Sequence, residues 1–98
     1  MNINKTQTAE TLNVALEGSL NTTTAPELEA ALKTSLDGVS ELVLDFEKLD
    51  YISSAGLRVL LSAQKVMAKK GKMRVIHVNE SIMEIFEITG FSDILNIE

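Results

Sequence analysis

Residues 50–57, Asp50-Tyr51-Ile52-Ser53-Ser54-Ala55-Gly56-Leu57, constrain this chain more than any other stretch. They join an apolar run that reads as a buried strand, Leu42-Val43-Leu44-Asp45-Phe46, to an amphipathic helix beginning near Ala55. Four small residues in a row, Ser53 to Gly56, stand where that helix starts, and two of them carry hydroxyls. A helix N-terminus leaves N–H groups without partners and carries partial positive charge, so it favours an oxygen acceptor or an anion. A serine there is either a cap or a place where a phosphate is carried, and both readings stay open at this point. Asp50 fits a turn residue after the strand. Gly56 is less easily placed, because glycine in a helix costs about 1 kcal/mol relative to alanine. Its missing side chain points to the close approach of another backbone, from a neighbouring strand or a docking protein.

The rest of the chain alternates strand and helix signals. Ile3 to Thr8 and Thr11 to Glu17 read as two strands around a turn at Ala9-Glu10, with Leu12, Val14 and Leu16 on one face and Asn13 and Glu17 on the other. Gly18 to Thr23 reads as a polar loop. Thr24-Ala25-Pro26-Glu27 has capping-box spacing and a first-turn proline, and opens a helix whose inner face is Leu28, Ala31, Leu32, Ser35 and Leu36 and which Gly38 ends. Val39 to Phe46 is the strand before the serine turn. The following helix runs from Ala55 to Lys70, with Leu60, Ala63 and Met67 inward, flanked by Leu57 and Val59. Arg58, Ser62, Lys65 and Lys69 form a narrow stripe on its opposite side, Leu61 lies beside that stripe, and Ser54 extrapolates close to it. As a solvated helix face the stripe needs no function; as a patch of hydroxyl, arginine and leucine it suits a partner. Lys72 to Val78 reads as a strand, Asn79 to Thr89 as a capped helix with Ile82, Ile85 and Phe86 inward and Gly90 as its stop, and Phe91 to Ile97 as a last strand.

The order β-β-α-β-α-β-α-β predicts a single α/β domain over residues 1–98, with a mixed, mainly parallel sheet and an antiparallel start. In such sheets sites gather beyond the carboxyl ends of strands. The serine turn is such a loop, and Asn21-Thr22-Thr23-Thr24, before the first helix, is expected beside it.

Composition then removes function classes. A net charge of −5 argues against nucleic acid as a partner. No apolar run approaches the ~20 residues of a membrane span, and Met1-Asn2-Ile3-Asn4-Lys5 lacks a signal-peptide core, so a cytoplasmic location without membrane insertion is expected. Zero cysteines exclude thiol chemistry, and with one histidine neither a metal site nor a cofactor is expected. His77 reads as a strand position, which leaves no Ser-His-Asp set around Ser54. No nucleotide-binding glycine motif is present. The residues therefore predict a protein that is not an enzyme.

The opening strand pair, Gly18-Ser19-Leu20-Asn21 to Thr24-Ala25, Leu42 to Phe46 and the serine turn together resemble the STAS domain of the bacterial anti-sigma factor antagonist family, over nearly the whole chain. That family's turn reads roughly Asp-Ser-Ser/Thr-Gly-Leu, with the first serine phosphorylated. Matching Gly56-Leu57 to its Gly-Leu puts the acceptor on Ser54, with Ser53 in place of the aspartate and Ala55 in place of a second hydroxyl. Asn21 stands where an aspartate is common, and many relatives continue past the position of Glu98 into a final helix. The resemblance implies a switch. The unphosphorylated chain binds an anti-sigma factor, often a serine kinase, and so frees a sigma factor for transcription; phosphorylation of Ser54 ends binding, and a serine phosphatase restores it. The expected contact surface is Asn21, Thr22, Thr23, Ser53, Ser54, Ala55, Gly56, Leu57, Arg58, Leu61 and Lys65. The alternative is a STAS-like subunit that docks without phosphorylation, for example on a transporter ATPase of a lipid-transport system.

Overall fold

In a computed structural model, which describes residues 1–98, the opening alternation becomes a hairpin. β1 (Asn2–Thr8) and β2 (Thr11–Leu20) pair antiparallel across Ala9-Glu10. There follow α1 (Ala25–Ser35), β3 (Glu41–Ile52), α2 (Ser54–Ala68), β4 (Lys72–Ile76) and α3 (Glu80–Thr89). A 3-10 turn (Phe91–Asp93) leads to β5 (Asn96–Ile97). The strands lie in sequence order, β1 to β5, and every pair after the hairpin is parallel. The element order and the mainly parallel mixed sheet are those the sequence predicts.

Right-handed crossovers between neighbouring parallel strands put the three helices on one side of the sheet. Leu12, Val14 and Leu16 of β2, Leu42, Leu44 and Phe46 of β3, and Met73 and Val75 of β4 face them and are buried. They meet Leu28 and Leu32 of α1, Leu60, Ala63 and Met67 of α2, and Ile82 and Phe86 of α3 in one aliphatic core. Phe46 and Phe86 form its aromatic contact, ring centroids 6.4 Å apart and tilted by 39°. The other sheet face carries no helix. Asn13 and Glu17 are exposed there, and Glu41 of β3 accepts from Arg74 Nε at 2.9 Å with Lys72 Nζ at 3.6 Å.

Five local expectations are corrected. β2 runs on to Leu20, so Gly18 to Leu20 is strand and not loop. β3 likewise continues past Phe46 to Ile52, with register shifts against β2 between Ala15 and Glu17 and between Gly18 and Ser19; Asp50 lies inside it and is no turn residue. The Thr24–Glu27 capping box does not form. Thr24 Oγ1 donates to Ser19 O at 2.7 Å and accepts from Asn21 N–H at 2.8 Å, so its hydroxyl ties the loop together instead of capping α1. β4 stops at Ile76, where His77 adopts φ 57, a left-handed conformation that turns the chain out of the regular ladder. The last strand shrinks to Asn96 and Ile97 behind the 3-10 turn, where Gly90 at φ 82 has ended α3.

Gly71 shows how tightly the crossover after α2 closes. Lys72 N–H donates to Ser40 O at 3.0 Å, and a Cβ on Gly71 would lie 1.8 Å from that same carbonyl oxygen. Both partners are backbone, so the clash has no flexible end to yield. Gly71→Ala is expected to lower stability by about 1–3 kcal/mol in urea unfolding.

The open-face ion pairs set one pH dependence. The hydrogen bond from Arg74 holds the Glu41 carboxyl below its ordinary 4.5, outweighing burial, with the charges of Arg74 and Lys72 and the Thr11 hydroxyl adding to it. A depressed carboxyl means the unfolded chain binds more protons, so the contribution is complete above the unfolded pKa and is lost as pH falls through the folded one. Wild type should therefore be more stable than Glu41→Gln at pH 7, and the difference in urea midpoint should shrink as the pH drops below about 4.5.

Candidate functional site

The site lies where β2 and β3 end together. Their parallel pairing continues to Leu20↔Ile52, and one residue further Ser53 N–H donates to Leu20 O at 2.8 Å. The two exits, Asn21–Thr24 and Ser53–Ser54, are thereby fixed side by side, as expected.

The first loop is closed by its own polar groups. Asn21 Oδ1 accepts from Thr23 N–H at 3.0 Å and Thr24 N–H at 3.1 Å, and Asn21 O accepts from Ala25 N–H at 2.8 Å. Thr22 and Thr23 are left exposed on its crest. An asparagine serves these bonds as an aspartate would, without the charge.

In the second loop the two serines part company. Ser53 is the N-cap of α2, extended at φ −101 and ψ 176; its Oγ accepts from Gly56 N–H at 3.4 Å and its carbonyl from Leu57 N–H at 2.9 Å. Ser54 is the first helical residue, exposed and making no side-chain hydrogen bond. Its own N–H and that of Ala55 lie in the first turn, where the helix supplies no acceptor. Gly56 is explained by packing of side chains and not, as the sequence suggests, by an approaching backbone. A Cβ there would meet Leu20 Cγ at 2.7 Å and Ile52 Cγ1 at 2.8 Å, both at the ends of the strands that carry the loops.

Of the expected contact surface, Thr22, Thr23, Ser54, Arg58 and Lys65 are exposed, and Asn21, Ser53, Ala55 and Leu61 are half-buried. Gly56 and Leu57 are buried and offer no surface; they belong to the support of the turn. Tyr51, 51% exposed two residues before the cap, adds a residue that motif spacing does not single out. The one signal for it is its position among the last residues of a strand that leads into a site.

Charge separates this region from the rest. Between Asp50 and Glu80 the sequence holds no acidic residue, while Arg58, Lys65, Lys69, Lys70, Lys72 and Arg74 all fall there. Lys72 and Arg74 are paired on the open sheet face, and Lys70 donates to Leu36 O. Arg58, Lys65 and Lys69 stand on α2 and its C-terminal end without an acidic partner, so a chain of net charge −5 shows a basic stripe leading to Ser54.

The family model for the STAS domain matches residues 2–98. The chain belongs to the STAS domain family. BtrV of Bordetella bronchiseptica, named as an anti-sigma factor antagonist, is 41% identical over 88 residues, covering 88% of this chain and 76% of BtrV, which puts the chain in that branch of the family. Among solved structures, a Thermotoga maritima protein superposes with a TM-score of 0.90 at 16% identity, covering 97% of this chain and 84% of the other. The phosphorylated form of SpoIIAA from Bacillus gives 0.77 at 19% identity, covering 99% and 91%. These two likenesses establish the same fold: a STAS domain of five strands and three helices. No helix is long and apolar enough to cross a membrane.

The division of labour between the serines is measurable. Ser53→Ala should cost about 0.5–1 kcal/mol, the low end for a cap because its bond is long. Ser54→Ala should change stability by less than about 0.5 kcal/mol. Urea unfolding of the two variants checks this, and the reverse order would make Ser54 the cap.

Proposed function

We propose that this STAS domain acts as an antagonist whose binding to an anti-sigma factor is switched off by phosphorylation of Ser54. Unphosphorylated, it docks through the exposed Thr22, Thr23, Ser54, Arg58 and Lys65 with the half-buried Leu61 beside them, and so releases a sigma factor. The anti-sigma factor is itself the serine kinase that modifies Ser54, and a serine phosphatase resets the switch. The chain catalyses nothing in this cycle and works in the cytoplasm. The relatives' shared name supports the anti-sigma partner, and the modification has a precedent in SpoIIAA, a protein of the same fold whose structure is known in a phosphorylated form.

The observation that carries the reading is the exposed, unbonded Ser54 hydroxyl at the first helical position, with capping delegated to Ser53. A kinase reaches Ser54 without undoing the helix. The resulting phosphoserine adds about −1.5 to −2 charge. At a helix N-terminus, over the free N–H groups of Ser54 and Ala55, that charge is favourable by about 0.3–1 kcal/mol, and Arg58 one turn on supplies a charge-assisted donor. The folded domain therefore tolerates the group. Burying a phosphate against a partner that offers no matching cation would cost several kcal/mol, and each 1.4 kcal/mol is about tenfold in affinity.

Ser54→Asp should weaken binding to the anti-sigma factor recovered with the chain from its native cells at least tenfold, with a melting temperature within a few degrees of wild type. Ser54→Ala should bind normally and take no phosphate from ATP and that partner. Intact-mass spectrometry with fragment mapping, on protein isolated under phosphatase inhibition, should find one phosphate on Ser54. A chain unmodified across growth and stress conditions would sink the switch and favour constitutive docking.

A further inference from the structure

On the helix-free face of the sheet three side chains converge. Asp45 and Glu47 project from β3, and His77 follows the end of β4, which pairs with β3 at Asp45↔Ile76. His77 Nδ1 lies 2.9 Å from Asp45 Oδ1 and 3.7 Å from Glu47 Oε2, and the three ligand atoms all fall within 4.8 Å of one another. We propose that Asp45, Glu47 and His77 form a binding site for a borderline first-row dication such as Zn2+.

Two observations point the same way. The first is the donor set: one imidazole nitrogen and two carboxylate oxygens, with exposure that leaves room for water, is the composition of open three-ligand sites. Donor atoms about 2.0–2.2 Å from one tetrahedral cation stand roughly 3.3–3.6 Å apart, which the 2.9 and 3.7 Å separations bracket. The second is an imbalance of charge. Glu41, on the same sheet face, is matched by both Arg74 and Lys72, whereas Asp45 and Glu47 have no Lys or Arg within 4.0 Å and share only His77. Two carboxylates thus share one imidazole, whereas a dication held by all three groups would balance both. A recess of about 220 Å3 borders the two carboxylates and is lined also by Asn4, Glu17 and Lys48 but not by His77, so it adds neighbouring charges without enclosing the three donors. Glu47 N–H donates to Asp45 Oδ1 at 3.0 Å and fixes that carboxylate before any ion arrives.

Tag-free protein titrated with Zn2+ by calorimetry, and followed by amide NMR, tests the site. Saturable 1:1 binding is expected, with shifts centred on residues 45–47 and 76–78 and a thermal midpoint that rises with Zn2+. Asparagine tolerates the left-handed backbone at position 77, so His77→Asn keeps the fold while removing the nitrogen ligand. It and Asp45→Asn should each weaken binding tenfold or more, with unchanged circular dichroism. No saturation at millimolar Zn2+, equal affinity in His77→Asn, or equal binding of Mg2+ would each overturn the assignment. None of these outcomes depends on Ser54 or on an anti-sigma partner.

Discussion

The parallel pairing of β2 with β3 is the constraint on which the site depends. It persists through two register shifts to Leu20↔Ile52, and the Ser53 N–H to Leu20 O bond extends it by one more step. Leu20 and Ile52 then close from both sides on Gly56, leaving no room for a single methyl. The start of α2 is therefore clamped to the ends of two central strands rather than to the flexible crest of a loop. That rigidity matters for a phosphate-operated contact. A charge that settles on a fixed helix end changes the surface without changing the fold, whereas the same charge on a loose loop would be absorbed by local rearrangement.

Electrostatics would give the proposed switch its contrast. The chain as a whole is acidic, yet α2 and its C-terminal end carry Arg58, Lys65 and Lys69 without an acid along that length. Such a stripe favours an acidic surface on the partner and raises the encounter rate before any close contact forms. A phosphate at Ser54 falls at the head of that stripe. In the proposed switch it would offset the charge of Arg58, one turn on, and make the attractive end of the helix a repulsive one. The absence of aspartate at positions 21 and 53 acts in the same direction, because the unmodified site then starts without negative charge at its centre. Modification therefore changes the sign of the local field rather than merely deepening it.

How much of this is legible in the sequence follows from which interactions are local. The period-two alternation of Leu12, Val14 and Leu16 and the helical spacing of Leu60, Ala63 and Met67 determine burial directly, and the elements they predict are present. Asn79 caps α3 and accepts from Ile82 N–H at 2.8 Å because its donor lies three residues away. The misreadings involve a distant competitor. Thr24 has capping spacing, but Ser19 O captures its hydroxyl. Glu47-Lys48 and Asp50 look like the end of a strand, yet partners in Glu17 to Leu20 hold β3 extended as far as Ile52. His77 sits in a run of β-branched residues, and only its left-handed φ beside Asp45 reveals a strand end. At the site, spacing locates both serines, but assigning one to the cap and the other to the surface requires the backbone angles of Ser53.

β3 links the two faces of the molecule. Leu42, Leu44 and Phe46 point into the core below the helices, while Asp45 and Glu47, alternating with them, point to the open face. Val43, only 2% exposed although it lies on that open face, shows that the centre of the sheet is sealed there by its neighbours' side chains, Arg74 among them by register. The acidic pair is thus mounted on a strand whose alternate residues anchor the core. Leu49 and Ile52, both buried, anchor the stretch of β3 between them. The two proposed surfaces, a phosphate at the head of α2 and a cation across the sheet, share no side chain.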